Sequence, residues 1–338
     1  SSRFHNFAIP LHTAHKTGLG SSAALVTAFT AALLTHYLPP SLFSLTNPNP
    51  NPNPSLHATS LQRLHNLAQA AHSAAQGKVG SGFDVASAVH GSCQYRRFSP
   101  TLLQSPGAAG SPSFSRKLRA LVEETDGQVW DTEIGKQAAA AAVRVPRGLR
   151  LVMCDVDCGS KTPGMVKTVL RWRAEKPGEA GRIWAGLQRC NEGFAAELVR
   201  LAREEEEEEE GAEGQDYAAL AKCIAEIRAL IREMSEASGV PIEPEQQTQL
   251  LDACSKVPGV VGGVVPGAGG YDAIALLVEN KPEVIDTLRT VLAGWKVNEE
   301  VDSDAVTIGK VSMLGVREEM EGVRLEDPEI YGDWIKSC

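Results

Sequence analysis

Two stretches in the first quarter of the chain have the apolar content or the apolar periodicity of helices. Residues 21–38 are rich in Ala and Leu, which are strong helix formers, and they follow a glycine turn. In residues 61–76 the apolar positions recur at steps of three and four, so they share one helix face. These positions are Leu61, Leu64, Leu67, Ala68, Ala71 and Ala75. Both stretches are predicted to be helices.

The second half of the chain alternates short apolar runs with longer periodic stretches. The runs predicted to be strands are residues 150–156, 273–278 and 306–314. The stretches predicted to be helices are residues 162–173, 217–237, 244–255 and 282–292. This mixture favours an α+β or α/β protein, with a domain boundary near residues 143–148.

Two segments of low complexity interrupt these patterns. Residues 47–54 alternate Asn and Pro, and proline lacks the N–H group that helices and central strands need. We expect an extended surface loop there. Residues 204–210 are seven consecutive glutamates, which we expect to form a solvated loop or the frayed end of a helix. Such tracts are usually spacers, and neither is assigned a function.

The charge balance argues against a nucleic-acid partner. The 338 residues include 33 basic and 42 acidic side chains, which gives a net charge of −9. Without the seven consecutive glutamates the charge would be close to balance. No basic excess therefore remains to bind a phosphate backbone.

Hydropathy and cysteine usage indicate the compartment. The most apolar stretch, residues 23–38, contains three threonines and His36 and is too short to span a bilayer. The seven cysteines are scattered and form no Cys-x-x-Cys pair, which is typical of reduced thiols. We therefore expect a cytoplasmic enzyme with no membrane partner, and the oligomeric state stays open.

The first candidate site begins at Lys16, where the sequence reads KTGLGSSAA. Its two glycines allow a tight turn, and Ser21 and Ser22 fall at the start of the predicted helix. The free N–H groups and positive dipole of a helix N-terminus attract anions, and a serine hydroxyl there can also bind Mg²⁺. A serine-capped helix without a ligand is the alternative.

Two other phosphate motifs do not fit this first site. The letters match a dinucleotide fingerprint, but that fingerprint requires an acid about 20 residues later. The first acidic residue of the whole chain is Asp84. A Walker A loop is also excluded, because the chain has no Gly-Lys-Ser or Gly-Lys-Thr triplet.

The second candidate site is the stretch GKVGSGFDVASA at residues 77–88. Asp84 emerges there from a Gly/Ser loop at the front of a helix of small residues, with Lys78 nearby in sequence. Such a carboxylate can orient or deprotonate a hydroxyl nucleophile, and a neighbouring lysine would lower its pKa. Asp84 as a favourable carboxylate at a helix N-terminus is the alternative.

The third candidate site is the stretch GGVVPGAGGYD at residues 262–272. Its glycines leave the backbone bare, so that it can approach a ligand closely. A tight loop before a buried strand is the alternative. The histidines add no further site, because His65 and His72 have no carboxylate cluster nearby and are predicted to be structural.

Taken in this order, the three sites resemble the motifs of the GHMP kinases, which phosphorylate galactose, homoserine, mevalonate and phosphomevalonate. The family's GLGSSAA loop is present letter for letter at residues 18–24, and its GAGG loop at residues 267–270. The resemblance is closest to fungal members that act on phosphomevalonate. It rests on KTGLGSSAALVTA, QGKVGSGFDVASAVHGSCQYRRF, DVDCGSKTPGMVKTVLRWR and GGVVPGAGGYDAIALLV.

The resemblance implies an α+β fold of two domains. Residues 1–145 would be the remainder of an ATP-binding lobe of the ribosomal-protein-S5-like α/β type. Residues 146–338 would form a ferredoxin-like α+β domain with an acidic insert at residues 204–214.

The resemblance also implies a reaction, in which the γ-phosphoryl group of ATP passes to the phosphate of (R)-5-phosphomevalonate with Mg²⁺ as cofactor. The residues it places on ATP are Lys16, Thr17, Gly18, Leu19, Gly20, Ser21, Ser22 and Ala23, with Ser21 or Ser22 near the metal. It makes Asp84 and Lys78 catalytic. The residues expected to bind substrate are Ser81, Gly82, Ser160, Thr162, Gly267, Ala268, Gly269 and Gly270. Arg96, Arg97 and Lys161 are further available cations, and Arg96 and Arg97 fit solvated positions equally well.

The chain departs from the family at its start. The first family motif, a Pro-Gly segment with Gly-Glu-Tyr on N-terminal strands, is not found before Lys16. We therefore expect a fragment of a longer protein that is poorly stable or inactive alone. Two alternatives stay open: the same fold acting on another acceptor such as mevalonate, and a catalytically inactive remnant.

Overall fold

The computed structural model describes residues 20–45, 54–104, 106–135, 143–157, 164–207, 215–295, 310–316 and 319–332. These residues form two compact units. The first unit contains residues 20–135 and 319–332, and the second contains residues 143–316. The predicted boundary after residue 145 lies a few residues beyond this division. The predicted second domain also differs, because residues 319–332 return to the first unit.

Four helices occupy the first unit within the described residues. They are α1 (Ser21–Tyr37), α2 (Pro54–Gln76), α3 (Phe83–His90) and α4 (Phe114–Glu123). The first two confirm predicted helices, although α2 starts at Pro54 and not near Leu61. Proline is tolerated in the first turn of a helix, where its missing N–H group costs no hydrogen bond. The end of the Asn-Pro tract is therefore helical, and residues 47–53 lie outside the described part.

The helices of the first unit share an apolar core. Ala23 of α1, Leu64 and Ala68 of α2, and Val85 and Val89 of α3 are fully buried together. The small residues Ala23 and Ala68 let the helices approach closely. Packing of this kind brings the first turns of α1 and α3 to the same side of α2.

A short hairpin and a second cluster extend the first unit. Strands β1 (Gln94–Arg96) and β2 (Glu133–Gly135) pair antiparallel, with Tyr95 opposite Ile134. Phe98, Leu121 and Trp130 form the second cluster, and the rings of Phe98 and Trp130 meet edge to face at 4.8 Å.

Residues 319–332 join the first unit at the C-terminal end of α3. The Ser92 N–H donates to the Glu319 carbonyl at 2.7 Å, and the Val323 N–H donates to the Val89 carbonyl at 3.1 Å. A Cβ atom on Gly322 would lie 2.4 Å from the Val89 carbonyl oxygen. Only glycine permits so close an approach of two backbones.

The second unit is built on a four-stranded antiparallel sheet. Its strands are β3 (Leu149–Asp157), β4 (Val260–Val264), β5 (Ala273–Glu279) and β6 (Lys310–Met313). They lie in the order β4-β5-β3-β6. The three predicted strands correspond to β3, β5 and β6, while β4 was not predicted. Residues 306–309, at the start of the predicted last strand, lie outside the described part.

Helices cover both faces of this sheet. They are α5 (Met165–Glu175), α6 (Pro177–Glu207), α7 (Ala218–Ser238), α8 (Glu245–Cys254) and α9 (Pro282–Ala293). The α8 and α9 side chains pack on one face, and those of α6 and α7 on the other. The element order and strand order are those of a ferredoxin-like domain, so the predicted α+β class is confirmed. Helix α5 begins at Met165, three residues after the predicted start.

The glutamate run is not wholly solvated as predicted. Helix α6 continues to Glu207, and the side chain of Glu205 is only 4% exposed. Its two carboxylate oxygens accept the N–H groups of Arg147 at 2.7 Å and Gly148 at 2.8 Å. Glu205 therefore ties the end of α6 to the entry of β3. Residues 208–210 lie outside the described part.

Two findings bear on the compartment. Among the described residues, the helices are all too short or too polar to cross a membrane. The five described cysteines, Cys93, Cys154, Cys190, Cys223 and Cys254, are free thiols. Burial raises the pKa of Cys154 and of Cys254 to about 12, so both are unreactive core residues.

Candidate active site

The first turn of α1 carries the two serines of the first candidate site. Gly20 precedes the helix with φ +86°, a left-handed conformation that glycine adopts without strain. Ser21 and Ser22 are exposed, whereas Ala23 is buried in the core. The burial of Ala23 fixes the helix face and turns the two serine side chains to the surface. Lys16, Thr17, Gly18 and Leu19 lie outside the described residues.

Ser22 is held by two residues of α2. Its Oγ lies 3.1 Å from Nε2 of His72, and the Gln76 amide nitrogen lies 2.8 Å from the same Nε2. Nε2 of a neutral imidazole has either one proton or one lone pair, which the two side chains share. The Ser22 oxygen has two lone pairs and uses at most one of them in this contact, so one stays available for another ligand.

The first turn of α3 carries Asp84. Gly82 precedes this helix with φ +80°, and Asp84 is half-buried with its Oδ1 accepting the Val85 N–H at 3.0 Å. A Cβ atom on Gly20 would lie 3.5 Å from Cβ of Asp84. Two candidate sites 64 positions apart in sequence thus lie side by side, and both are at helix N-termini.

The loop before α3 is held by three side chains, which we call the carbonyl clamp: Gln69, Tyr95 and Arg97. The Arg97 guanidinium donates to the Gly80 carbonyl at 2.7 Å. The Tyr95 hydroxyl donates to the Ser81 carbonyl at 3.0 Å, and the Gln69 amide donates to the Gly82 carbonyl at 2.7 Å. Arg97 therefore binds the loop backbone while its side chain stays exposed to solvent.

Burial shifts the pKa values of two residues at the clamp, Tyr95 and its neighbour His65. Burial raises the pKa of Tyr95 to about 12, while the Arg97 charge opposes this shift and the Asp84 charge adds to it. Burial also lowers the pKa of His65, which contacts Gln69, to about 4 against the effect of its hydrogen bond with Asn66. Near neutral pH the phenol keeps its proton and the imidazole is uncharged.

Within the described part of the chain, no ion pair joins Lys78 to Asp84. Lys78 lies just beyond the C-terminal end of α2, where its N–H donates to the Ser73 carbonyl at 3.2 Å, and its side chain is exposed. Lysine at the end of a helix is favourable on electrostatic grounds. Its free ammonium group is still available to an anionic ligand.

The third candidate site is a loop between β4 and β5 in the second unit. Gly267, Gly269 and Gly270 all have positive φ, and Gly267 and Ala268 form its exposed tip. The Gly270 N–H donates to the Ile242 carbonyl at 2.9 Å. A Cβ atom on Gly269 would lie 2.4 Å from the same oxygen, so glycine is required there by packing as well as by φ.

A buried ion pair anchors the segment on which this loop rests. The side chain of Glu243 is 1% exposed, and it accepts from Arg228 at 2.8 Å and from the Thr248 hydroxyl at 3.0 Å. Burial opposes the charge of Arg228, but Glu243 and Asp252 outweigh it and raise the pKa of Arg228. Ser235 accepts the N–H groups of Ile242 and Glu243 as well.

Several site residues were not predicted from the sequence. Tyr95 and Arg97 lie within a quoted family motif, but only Arg97 was named, as an available cation. Gln69 carries no motif, and Glu243 lies in an ordinary loop. One signal was present in α2: its polar residues His65, Gln69, His72 and Gln76 recur at steps of four, three and four beside the apolar face. His65 and His72 are both buried. Ser160, Lys161 and Thr162 lie outside the described residues.

Sequence profiles of two domains match the chain. The profile described as GHMP kinases N terminal domain matches residues 6–92, and the profile described as GHMP kinases C terminal matches residues 215–296. The first match contains the serine and aspartate loops, and the second contains the glycine loop between β4 and β5.

Similar proteins of known name are found in fungi. The chain is 48% identical to phosphomevalonate kinase erg8 of Aspergillus fumigatus, over 99% of this chain and 65% of that protein. It is also 48% identical to phosphomevalonate kinase ERG8 of Gibberella zeae, over 99% of this chain and 67% of that protein. The chain thus spans about two thirds of the length of these curated relatives.

Solved structures agree on the fold. A Lin0012 protein from Listeria innocua matches 91% of this chain and 71% of its own, with a TM-score of 0.59 and 19% identity. L. major mevalonate kinase in complex with R-mevalonate matches 82% of this chain and 62% of its own, with a TM-score of 0.50 and 14% identity. The fold, both domain matches and the fungal relatives agree, and the chain belongs to the phosphomevalonate kinase family of GHMP kinases.

Proposed function

We propose that this protein transfers the γ-phosphoryl group of ATP to the phosphate of (R)-5-phosphomevalonate. The products are ADP and (R)-5-diphosphomevalonate, a precursor in isoprenoid and sterol synthesis. The observation that carries the proposal is the contact between Gly20 and Asp84, which places an anion-binding helix start beside a carboxylate. The names of the fungal relatives support the choice of acceptor.

The first unit supplies the proposed phosphate contacts. Residues 16–23 would cradle the ATP phosphates with backbone N–H groups, which the start of α1 provides. An acceptor phosphate oxygen attacks the γ-phosphorus, and the bond from that phosphorus to the bridging oxygen of ADP breaks. The acceptor is already ionised, so Asp84 orients it and need not act as a strong base. Lys78 and Lys16 would offset the repulsion between the two anions.

Mg²⁺ fits the start of α1. The described residues contain no group of three or more His, Cys, Asp or Glu side chains that would bind a metal. Mg²⁺ in kinases is usually held by one or two protein ligands together with substrate phosphates. The Ser22 oxygen suits such a site because it is exposed in the first turn of α1 and its contact with His72 leaves a lone pair available. The ion would neutralise charge on the phosphates.

The remaining proposed contacts come from short loops. Ser81 and Gly82 would bind the acceptor beside Asp84, while Ser160 and Thr162 would bind its phosphate. For residues 267–270 we propose contact with the phosphates or with the mevalonyl end, because the exposed tip leaves its backbone bare. We propose the cytoplasm as the location on the basis of the free thiols, although an Arabidopsis thaliana relative is named peroxisomal.

The test is a parallel assay with two acceptors on the protein expressed from its complete reading frame. With Mg²⁺-ATP and (R)-5-phosphomevalonate we expect ADP release together with a new diphosphate signal in ³¹P NMR. With mevalonate we expect little turnover. Equal or faster turnover of mevalonate would overturn the proposed acceptor. If neither acceptor is turned over, the result supports the alternative that the protein is a catalytically inactive remnant.

A variant tests the role of Asp84. We expect Asp84→Ala to lower kcat by roughly a hundredfold or more while the Kd for Mg²⁺-ATP stays nearly constant, because its contribution is made in the transition state. Asp286→Ala is the matched control, since that side chain is exposed on α9. Unchanged turnover of Asp84→Ala would remove this residue from the mechanism.

A further inference from the structure

Three consecutive carbonyl groups in the loop before α3 are occupied by the carbonyl clamp. Gly80, Ser81 and Gly82 each give their carbonyl oxygen to a different side chain, at 2.7, 3.0 and 2.7 Å. The donors come from two separate elements, since Gln69 belongs to α2 and Tyr95 to β1. Local backbone geometry alone would not recruit donors from distant parts of the chain.

The clamp determines where the loop N–H groups point. In a trans peptide the C=O and N–H groups point in opposite directions. Holding the carbonyls of residues 80–82 on the clamp side therefore turns the N–H groups of Ser81, Gly82 and Phe83 to the other side. Among the described residues these three N–H groups have no hydrogen-bond acceptor. They lie beside the N–H groups at the start of α3, next to Asp84.

Gln69 is the buried member of the clamp, whereas Tyr95 is half-buried and Arg97 is exposed. Gln69 is 1% exposed, and its amide also contacts Nε2 of His65 at 3.1 Å. A Cβ atom on Gly82 would lie 2.7 Å from both the Gln69 amide oxygen and the Tyr95 hydroxyl oxygen. Two polar side chains therefore fill the space beside Gly82, and the loop backbone has no room to rotate toward them.

We propose that Gln69, Tyr95 and Arg97 are positioning residues that turn the N–H groups of residues 81–83 toward the phosphate of the acceptor substrate. This inference rests on the proposed function and deepens it by assigning phosphate recognition to backbone N–H groups. Without the clamp, the carbonyl dipole of Gly80 or Ser81 can rotate toward the anion and repel it. The site would then lose affinity for phosphate esters while its fold and its nucleotide loop stay intact. The Gly82 carbonyl is also held by the Ala86 N–H at 3.0 Å, so the loss of Gln69 should have the smaller effect.

The test uses Tyr95→Phe and Gln69→Met in the protein expressed from its complete reading frame. Each variant removes one donor while keeping most of the side-chain volume. We expect the KM for phosphomevalonate to rise about tenfold in Tyr95→Phe, as one lost hydrogen bond of this kind implies, and by less in Gln69→Met. The Kd for Mg²⁺-ADP and the melting temperature of Tyr95→Phe should stay close to the unmodified values.

Binding of inorganic phosphate in the presence of saturating Mg²⁺-ADP gives a readout that does not depend on turnover. Titration calorimetry should show phosphate affinity falling about tenfold in Tyr95→Phe. The matched controls are Tyr37→Phe, which is exposed on α1, and Gln249→Met, which is half-buried on α8. Both controls should bind phosphate like the unmodified protein.

The possible outcomes separate the two proposals. The proposed function is overturned if the unmodified protein binds phosphate but turns over neither acceptor. In that case the effect of Tyr95→Phe on phosphate affinity still tests whether the clamp positions the loop N–H groups. The inference is overturned if Tyr95→Phe leaves phosphate affinity and KM unchanged. It is also overturned if nucleotide affinity falls by the same factor, or if the unmodified protein binds no phosphate.

Discussion

The two units each present a glycine loop, and the two loops are held in opposite ways. In the first unit, long polar side chains reach the loop and bind its carbonyl groups one by one. In the second unit, the loop lies directly on the backbone of Ile242, and a buried ion pair anchors that segment from behind. The conformation of the first loop depends on side-chain hydrogen-bond donors. The conformation of the second loop depends on glycines, whose lack of a side chain lets two backbone segments pack together.

This difference determines how each loop fails. A clamp of separate hydrogen bonds weakens in steps of about 1 kcal/mol, because each donor contributes independently. A backbone packed against backbone has no flexible part, so an added atom displaces the whole segment. We therefore expect graded losses in the first loop and abrupt losses around the second.

The largest expected effect is at the anchor of the second loop. Glu243→Gln leaves Arg228 buried without its main counter-charge, and this should lower the free energy of unfolding by about 3–5 kcal/mol. Urea denaturation measures the loss. Asp252→Asn, which removes a partner of Arg228 that is 54% exposed, is the control and should cost about 1 kcal/mol or less. Equal losses in the two variants would contradict the assignment of Glu243 as the anchor.

Acid should weaken the first unit selectively. The pKa of His65 is about 4 in the fold and 6.5 in the unfolded chain, so the unfolded state binds the proton first as the pH falls. Stability is therefore lost between pH 6.5 and pH 4, by about 3 kcal/mol in total. Hydrogen exchange should show faster opening of residues 65–90 than of residues 240–270 at pH 5.

A replacement at His65 provides the check on this acid sensitivity. His65→Gln should flatten the pH dependence of stability, whereas His36→Gln should not, because His36 is exposed on α1. An unchanged pH profile in His65→Gln would show that another group carries the acid transition.

The clamp can be broken from the loop side at Gly82. Gly82→Ala adds a methyl group 2.7 Å from Gln69 and Tyr95 at φ +80°, and should cost about 1–3 kcal/mol. In the double variant with Gln69→Ala, the loss of stability should be smaller than the sum of the two single losses, because the smaller side chain makes room for the methyl group. Thermal unfolding of the two single variants and the double variant measures the coupling. Additive losses would argue against contact between the two residues.

The smallest expected effect is at Gly267, at the exposed tip of the second loop. A Cβ atom there meets no atom within 4 Å. Gly267→Ala should therefore lower the free energy of unfolding by only about 1 kcal/mol, which is the strain of alanine in a left-handed conformation. Gly269→Ala, with its Cβ atom 2.4 Å from Ile242, should cost clearly more. Similar melting temperatures for the two variants would show that the loop is not packed as described.

Sequence reasoning predicted the elements with strong periodicity and the loops with motifs. Helices α1, α7 and α9 and strands β3 and β5 lie within a few residues of their predicted bounds. Long helix α6 and strand β4 were missed. Strand β4 contains two adjacent glycines, which are poor strand formers, and its place is set by pairing with β5.

The supporting residues of the site depend on tertiary structure. Asp84 is recognisable because it follows a glycine loop, but Tyr95 meets that loop only after β1 folds back beside it. Glu205 was expected to be solvated because its neighbours have the same charge. Its burial follows from two backbone N–H groups near residue 147, and nothing in the local sequence indicates them.

The return of residues 319–332 to the first unit has a consequence for biosynthesis. A ribosome adds about 5–20 residues per second, so this segment is made roughly 10–45 s after α3. During that interval the Val89 carbonyl and the Ser92 N–H have not yet met the backbone partners that hold them in the folded protein. All strands of the second unit are translated before that partner segment emerges. The unit whose translation starts first is therefore the one that is completed last.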